Sequence, residues 1–338
     1  MAPIKNGRLL VNEFPTGYPI PGQTTVYDET ETIDVDTVPL NGGFLIKVLV
    51  LSIDPYLRNK LRTTSPSPFV IGKPLANYGV GVVLRSESSD VKPGDHVYGV
   101  VPFQKYIVQP ALKGLQILDN KYNLPWSTFV GVNGMPGQTA YTGWKEYASV
   151  KPGDVVFVST AAGPVGSFVV QLAKAAGAKV IGSAGSEEKV EFLKSIGTDV
   201  AFNYKTTDTN EVLAKEGPIN LYWDHVGGST LDAALANAAN KATFIECGMI
   251  SGYNGDPQPV YNLKATFGKE IKIFGFQVTS LLPKYEQEYY AEVPKIIADG
   301  TIKYREDFTK GLEFGGHALE AVQRGNNKGK SVVVVSEE

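Results

Sequence analysis

Residues 155–176 hold the segment that most restricts what this chain can become. An apolar run, Val155-Val156-Phe157-Val158-Ser159, leads into Thr160-Ala161-Ala162-Gly163-Pro164-Val165-Gly166. Val165, Val169, Leu172, Ala173 and Ala176 then follow at helical spacing. A strand that passes through a tight glycine-bearing turn into a helix opens a βα unit of a parallel sheet. Ala161 stands where the first glycine of a G-x-G-x-x-G turn would sit. Gly163 lets the backbone approach a pyrophosphate, Gly166 permits close helix–strand packing, and the helix amino terminus attracts the anion. The same rhythm continues with strands expected over 179–183, 200–204, 219–223, 243–247 and 271–276. Helices are expected over 187–196, 231–239 and 284–298, and Pro294 calls for a kink or a break in the last of these. The expectation is a doubly wound parallel sheet, closed by a β segment over 331–335 that is free to return to the preceding domain.

The region before about residue 130 follows a different pattern. Short apolar runs over 44–51, 80–84, 96–101 and 106–108 alternate with Gly and Pro, and no helical period is sustained. Val91-Lys92-Pro93-Gly94-Asp95 reads as a turn between strands, and nearly the same words recur at Val150-Lys151-Pro152-Gly153-Asp154. Proline suits the second turn position and glycine the third, so the recurrence is turn chemistry and not a repeat.

Length and composition narrow the class. With 338 residues, two domains fit, and 43% hydrophobic with 20% charged residues describes a globular chain. Lys and Arg number 32 against 35 Asp and Glu, which leaves no basic field for a nucleic acid. The amino terminus lacks the apolar core of a signal peptide, and no apolar stretch is long enough to span a bilayer. A cytoplasmic protein with no membrane partner is expected. The single cysteine, Cys247, excludes an internal disulfide.

The end of the second strand of this sheet decides between cofactors. An NAD site places an acid there for the ribose hydroxyls. Here Ile181-Gly182-Ser183-Ala184-Gly185-Ser186 contains none, so nothing repels a 2′-phosphate. Glu187 and Glu188 begin a helix, where they suit its dipole, and Lys189 follows on the same turn. A charge-assisted contact from Lys189, about 1.5–3 kcal/mol, favours NADP over NAD roughly ten- to a hundredfold. A catalytic zinc takes about three protein ligands. The chain offers Cys247, His96, His225 and His317 with no metal-site spacing, so metal-independent chemistry is expected. Without a Lewis acid, hydride delivery to the β-carbon of a conjugated carbonyl is easier than to a carbonyl carbon, because charge delocalises onto oxygen.

Several words in the chain match one group of proteins. Asp54-Pro55-Tyr56-Leu57-Arg58, Gly134-Met135-Pro136-Gly137-Gln138-Thr139-Ala140-Tyr141, the 161–167 turn, Ala184-Gly185-Ser186-Glu187-Glu188-Lys189, Phe202-Asn203-Tyr204, Cys247-Gly248-Met249-Ile250-Ser251-Gly252-Tyr253-Asn254 and Asn327-Lys328-Gly329-Lys330 occur in order. Together they resemble the zinc-independent medium-chain reductases, in particular the NADPH-dependent alkenal double-bond reductases and the prostaglandin reductases. The resemblance implies an α/β chain with a GroES-like β-domain over 1–130, a Rossmann NADPH-binding domain over 131–303, and a return of 304–338 to the first domain. It also implies reduction of the C=C bond of small α,β-unsaturated aldehydes and ketones, often by homodimers, with a quinone reductase of the same superfamily as the alternative.

By the same resemblance Gly163, Pro164, Val165 and Gly166 meet the pyrophosphate, and Lys189 and Tyr204 the 2′-phosphate. Cys247, Gly248, Ile250, Ser251 and Tyr253 line the cofactor, Phe276 and Val278 flank the nicotinamide, and Asn327 reaches it from the returning segment. Tyr253 is the catalytic phenol that holds the enolate, and Tyr56 contacts the substrate carbonyl. Two features depart from the family. His225 stands where the family has Asn, as a bulkier cofactor contact expected to titrate near neutrality. The stretch 61–74, after Asp-Pro-Tyr, is short and rich in Ser and Pro.

Overall fold

The computed structural model describes residues 3–338; Met1 and Ala2 lie outside the described residues. The chain divides into two units, Met1–Gly131 with Glu306–Glu338, and Val132–Arg305.

The first unit starts with β1 (Ile4–Lys5), β2 (Arg8–Val11), β3 (Thr25–Asp28), β4 (Thr32–Ile33) and β5 (Phe44–Ser52). The short helix α1 (Leu57–Lys60) precedes β6 (Ala76–Ser86), β7 (His96–Pro102), β8 (Tyr106–Gln109) and β9 (Leu115–Ile117). β5 is buried along nearly its whole length and contributes Phe44, Ile46, Val48 and Leu51 to the core of this unit. The Val-Lys-Pro-Gly-Asp words behave alike wherever they occur. Gly94 and Gly153 have φ of 89° and 90°, and Asp95 and Asp154 each accept from the lysine N–H three residues earlier at 2.9 and 2.8 Å. Glycine supplies the left-handed backbone and aspartate holds the turn closed.

The second unit opens with α2 (Met135–Tyr147), β10 (Val155–Val158), α3 (Pro164–Ala175), β11 (Lys179–Ala184), α4 (Glu187–Ser195) and β12 (Val200–Asn203). It continues through α5 (Thr209–Glu216), β13 (Ile219–Asp224), α6 (Gly228–Ala236), β14 (Ala238–Glu246), α7 (Ala265–Gly268), β15 (Lys272–Gly275) and α8 (Val278–Ala298). Six strands pair in the order β12-β11-β10-β13-β14-β15, all parallel. The chain winds outward from β10 through β11 to β12, then crosses back to lay β13 against the other side of β10. The reversal between β10 and β13 is the switch point at which open α/β sheets bind ligands.

Three elements differ from the sequence expectation. The Ala-rich segment gives a helix that ends at Ala236, because Ala238 pairs with Ile219 and the sheet takes over. α8 begins at Val278, six residues before the expected start, and runs through both Pro283 and Pro294 without ending. Packing outweighs the missing amide bonds. Tyr289, Val293 and Ile297 are buried along one face, the Tyr289 hydroxyl donates to the Val132 carbonyl at 3.2 Å, and Tyr141 and Tyr285 hydroxyls bind Glu292 and Glu146 across the α2–α8 contact. α2 itself has little hydrophobic periodicity, since its residues 136–143 are all buried, and sequence periodicity does not reveal it.

After α8 the chain re-enters the first unit as β16 (Glu306–Lys310), α9 (Gly315–Gln323) and β17 (Lys330–Val334). β17 pairs antiparallel with β5 and parallel with β16. The sheet there runs β16-β17-β5-β6-β7-β9, with β8 also on β5.

Candidate functional site

At the switch point, β10 ends in a strained turn. Thr160 has φ of 45°, a conformation that a β-branched residue seldom adopts and that tends to mark functional turns. Its N–H is held by the Ser183 hydroxyl at 3.3 Å and the Ala161 N–H by the Ser183 carbonyl at 2.8 Å, so β11 fixes the turn. Ala161, in the place of the first glycine, is fully buried. At Gly166 a Cβ would come within 2.7 Å of the Ala161 Cα, so glycine is required for α3 to pack on the turn. A Cβ at Gly163 would meet nothing closer than 3.4 Å, which leaves the approach to the turn open. α3 starts at Pro164 with no side chain capping its first turn. Its first N–H groups thus present an uncapped, positive helix end, and these residues fit a dinucleotide pyrophosphate.

The turn after β11 holds Ser186, whose hydroxyl caps α4 by accepting from the Lys189 N–H at 3.4 Å. Tyr204, at the end of β12, is brought to this turn: a Cβ on Gly185 would stand 2.9 Å from its hydroxyl oxygen. Tyr204 is 42% exposed, so its phenol lines an accessible surface beside the Lys189 turn. Glu187 is engaged by the Asn203 amide at 2.8 Å.

β13 ends in Asp224 and the His225 turn. The Ser159 hydroxyl accepts from the His225 N–H at 2.9 Å and joins the two turns of the switch point. Both ring nitrogens of His225 are engaged within this unit. Nε2 accepts from the Trp223 indole N–H at 3.1 Å, and Nδ1 faces the Ser159 carbonyl at 2.6 Å, which requires a proton on Nδ1. Desolvation lowers its pKa below the ordinary histidine range. Instead of titrating near neutrality and donating outward, His225 is a neutral brace within the switch point.

The loop after β14 is fastened to that turn. Cys247 and Gly248 N–H groups donate to the Asp224 carbonyl at 2.9 and 3.1 Å, and Ile250 N–H donates to the His225 carbonyl at 3.0 Å. The Ser251 hydroxyl donates to the Val226 carbonyl at 2.6 Å. The loop borders a cleft of about 660 Å³ lined by Cys247, Gly248, Tyr253 and Phe276, with Tyr147, Glu246, Met249 and residues 275–281 in part. A Cβ on Gly248 would stand 3.3 Å from the Tyr253 hydroxyl, so glycine keeps that phenol over an open backbone. Ile250 and Ser251 lie in the loop and Val278 opens α8, beside the cleft but not among its lining residues. Burial pushes the Cys247 thiol up to about 12, as expected of a packing residue and not a nucleophile.

Glu246 was not anticipated from sequence. It ends β14 in register with Asp224 on β13 and lines the cleft. Burial pushes its carboxyl up to about 8, and the neighbouring Asp224 charge adds to the effect. The available signal was an acidic residue at the end of each of two apolar strands, which becomes informative only once those strands are known to be neighbours.

In the first unit, Tyr56 donates to Asn77 Oδ1, and the Asn77 amide donates to the Ser52 carbonyl at 2.8 Å and to Asp54 Oδ2 at 2.9 Å. Lys330 pairs with Asp54 Oδ1 at 3.1 Å, with both side chains buried. Desolvation lowers the Lys330 pKa against the pull of Asp54, and raises that of Tyr56. The Asn327 amide donates to the Gly329 carbonyl at 2.7 Å and shapes the turn before β17. Asn77 and Lys330 are members of this first-unit network whose part in it sequence reading passed over. Among the described residues, no three His, Cys, Asp or Glu side chains are grouped to hold a metal ion.

The chain matches family models described as zinc-binding dehydrogenase over residues 164–298 and as N-terminal domain of oxidoreductase over residues 8–118. It is 38% identical to a 2-alkenal reductase (NADP(+)-dependent) of Nicotiana tabacum, over 99% of both chains. It is 34% identical to prostaglandin reductase 1 of Sus scrofa, over 94% of this chain and 95% of the other. The crystal structure of CurA in complex with NADPH from Vibrio vulnificus superposes with a TM-score of 0.88 at 30% identity, covering 98% of this chain and 100% of that one. The chain therefore belongs to the medium-chain dehydrogenase/reductase family, in the branch that contains the alkenal and prostaglandin reductases.

Proposed function

We propose that this chain is an NADPH-dependent oxidoreductase that reduces the C=C bond of small α,β-unsaturated aldehydes and ketones. The observation that carries the reading is the second unit's paired architecture. An uncapped phosphate turn lies on one side of the switch point, and a cleft with the Tyr253 phenol over Gly248 is fastened to the other. The NADP dependence of the tobacco relative and the NADPH in the CurA structure support the cofactor.

When bound, NADPH supplies the hydride for the β-carbon of the substrate. The N–H groups of Val165 and Gly166 hold the pyrophosphate, with Gly163 and Pro164 shaping the approach. Lys189 and Tyr204 hold the 2′-phosphate. Cys247, Gly248, Ile250 and Ser251 shape the loop against which the cofactor lies, and Phe276 and Val278 bound the nicotinamide end. Tyr253 donates a hydrogen bond to the enolate oxygen and stabilises charge as it develops, the α-carbon then taking a proton from Tyr253 or from water. Tyr56 addresses the substrate carbonyl and Asn327 the nicotinamide. The second unit is thus the cofactor domain and the first the substrate domain.

The chemistry proceeds without a metal ion, in a cytoplasmic enzyme that works as a homodimer. The dimer is supported by the open edge strand β15, where Ile273 is exposed, and by Phe267 on the preceding α7, which is 82% exposed. Light scattering on the purified protein tests it.

The activity itself is tested by following consumption of NADPH with a medium-chain 2-alkenal, an aryl enone and a quinone in parallel, with product analysis. Saturated aldehyde and ketone are the expected products. Turnover of the quinone alone would make the chain a quinone reductase, and consumption with none of the three would overturn the reading.

A further inference from the structure

Two carboxyl groups meet beside the cleft: Glu246 lines it, and Asp224 is buried next to Glu246. Asp224 and Glu246 are register partners at the carboxyl ends of β13 and β14, and their side chains lie within hydrogen-bonding reach. Asp224 Oδ1 is fully used: it accepts from the Tyr222 hydroxyl at 2.6 Å and from the Val226 and Gly227 N–H groups at 2.7 and 2.9 Å. Asp224 Oδ2 and both Glu246 oxygens are buried, and among the described residues none has a donor. Three buried acceptor oxygens without a donor are costly, and two carboxylates at this separation repel each other. One proton on Glu246, donated to Asp224 Oδ2, pairs two of these three oxygens and removes the repulsion.

Among the described residues, the groups facing the pair bring no positive charge. Tyr222 stands beside it on β13, the Ser159 hydroxyl approaches Asp224 Oδ1 from β10 at 3.3 Å, Cys247 follows on the loop, and His225 is neutral. Tyr147 and Tyr253 border the same cleft.

We propose that Glu246 carries a proton that it donates to Asp224 Oδ2, that this hydrogen bond holds the ends of β13 and β14 together, and that dinucleotide binding in the cleft captures the proton. This inference rests on the NADPH reading above. The strand ends carry the whole binding loop, because the Cys247, Gly248, Ile250 and Ser251 N–H groups all donate to carbonyls of residues 224–226. Loss of the proton leaves two anions beneath that loop and pushes the strand ends apart. An anionic ligand that covers the cleft and excludes water disfavours the second charge further, so the bound state keeps the proton to higher pH. Glu246 is accordingly a positioning residue, and the proton it takes up comes from solvent.

Below about pH 7 free and bound protein both hold the proton, and affinity is unaffected by it. Above about pH 8 the free protein has lost it and must regain it on binding, so affinity falls.

The test is calorimetric titration of the wild-type protein with NADPH in two buffers of different ionisation enthalpy, across pH 7 to 9. Adenosine 2′,5′-bisphosphate, which lacks the nicotinamide half, is the control ligand. Uptake of about half a proton per NADPH near pH 8, a Kd that rises about tenfold from pH 7 to 9, and little uptake with the bisphosphate are expected. Glu246→Gln, which keeps a donor and abolishes titration, should remove the uptake and flatten the pH dependence. Absence of proton uptake in wild type overturns the inference even if the variant does not fold. So does an equal pH dependence in wild type and Glu246→Gln. Failure of NADPH to bind at any pH overturns the dinucleotide reading itself, an outcome distinct from binding without proton uptake.

Discussion

The phenol of Tyr56 is not free to point anywhere: it donates to Asn77 Oδ1, and Asn77 is itself anchored to the Ser52 carbonyl and the Asp54 carboxylate. Tyr56 is in turn within the motif that marks the family, so the residue proposed to meet the substrate carbonyl is oriented by a residue outside that motif. Replacing Asn77 with Ala removes all three of these hydrogen bonds, one of them to the Tyr56 phenol, and frees the ring. An increase in KM for an enone of about fivefold, with a smaller change in kcat, is expected from the loss of roughly 1 kcal/mol. Steady-state kinetics on Asn77→Ala decide this, and an unchanged KM would separate Tyr56 from substrate binding.

Lys330 supports the same network from β17. Its ammonium neutralises Asp54 where both are buried, so Lys330→Met leaves a carboxylate without its counter-ion. The variant should lose about 3–5 kcal/mol of stability in urea unfolding. The double variant Lys330→Met with Asp54→Leu removes the stranded charge and should recover part of that loss.

Lys189 is assigned to the 2′-phosphate, which NADH lacks. Lys189→Ala should weaken NADPH binding roughly ten- to a hundredfold and leave NADH binding nearly unchanged. Fluorescence titration with the two cofactors measures the ratio. An equal loss for both would place Lys189 away from the phosphate.

His225 should remain neutral through the physiological range. Its pKa is lowered by desolvation, so the native state binds fewer protons than the unfolded chain. Its contribution to stability is present above the ordinary histidine pKa and is lost as pH falls through the lowered native value. Nitrogen NMR of the imidazole should show a proton on Nδ1 alone from pH 6 to 8. A charged ring in that window would contradict the hydrogen bonds to Trp223 and Ser159.

Tyr253→Phe removes the proposed donor to the enolate and keeps the ring. Turnover should fall tenfold or more, since a positioned donor contributes at least about that factor, with NADPH affinity little changed. A loss well below tenfold would take Tyr253 out of the reaction.

The β10–α3 turn and the strand–helix alternation were legible because each is a local pattern, in which glycine spacing, apolar runs and helical period lie within some twenty residues. The carboxyl-terminal strand was legible as β but not by its partner, because its pairing with β5 joins residues about 280 positions apart. α8 was obscured by Pro283 and Pro294, whose cost is met by buried Tyr289, Val293 and Ile297. His225 was visible as a residue but not as a brace, because Ser159, just past β10, meets its ring only in the folded sheet. The Asp224–Glu246 and Tyr56–Asn77 pairs are invisible for the same reason.

Hydride delivery to the β-carbon is tested most directly with NADPH carrying deuterium at the transferred position of the nicotinamide. After turnover of a 2-alkenal, the saturated aldehyde should carry one deuterium, on the β-carbon, with the α-carbon proton drawn from water or the protein. Deuterium on the carbinol carbon of an allylic alcohol, or an unlabelled product, would contradict it.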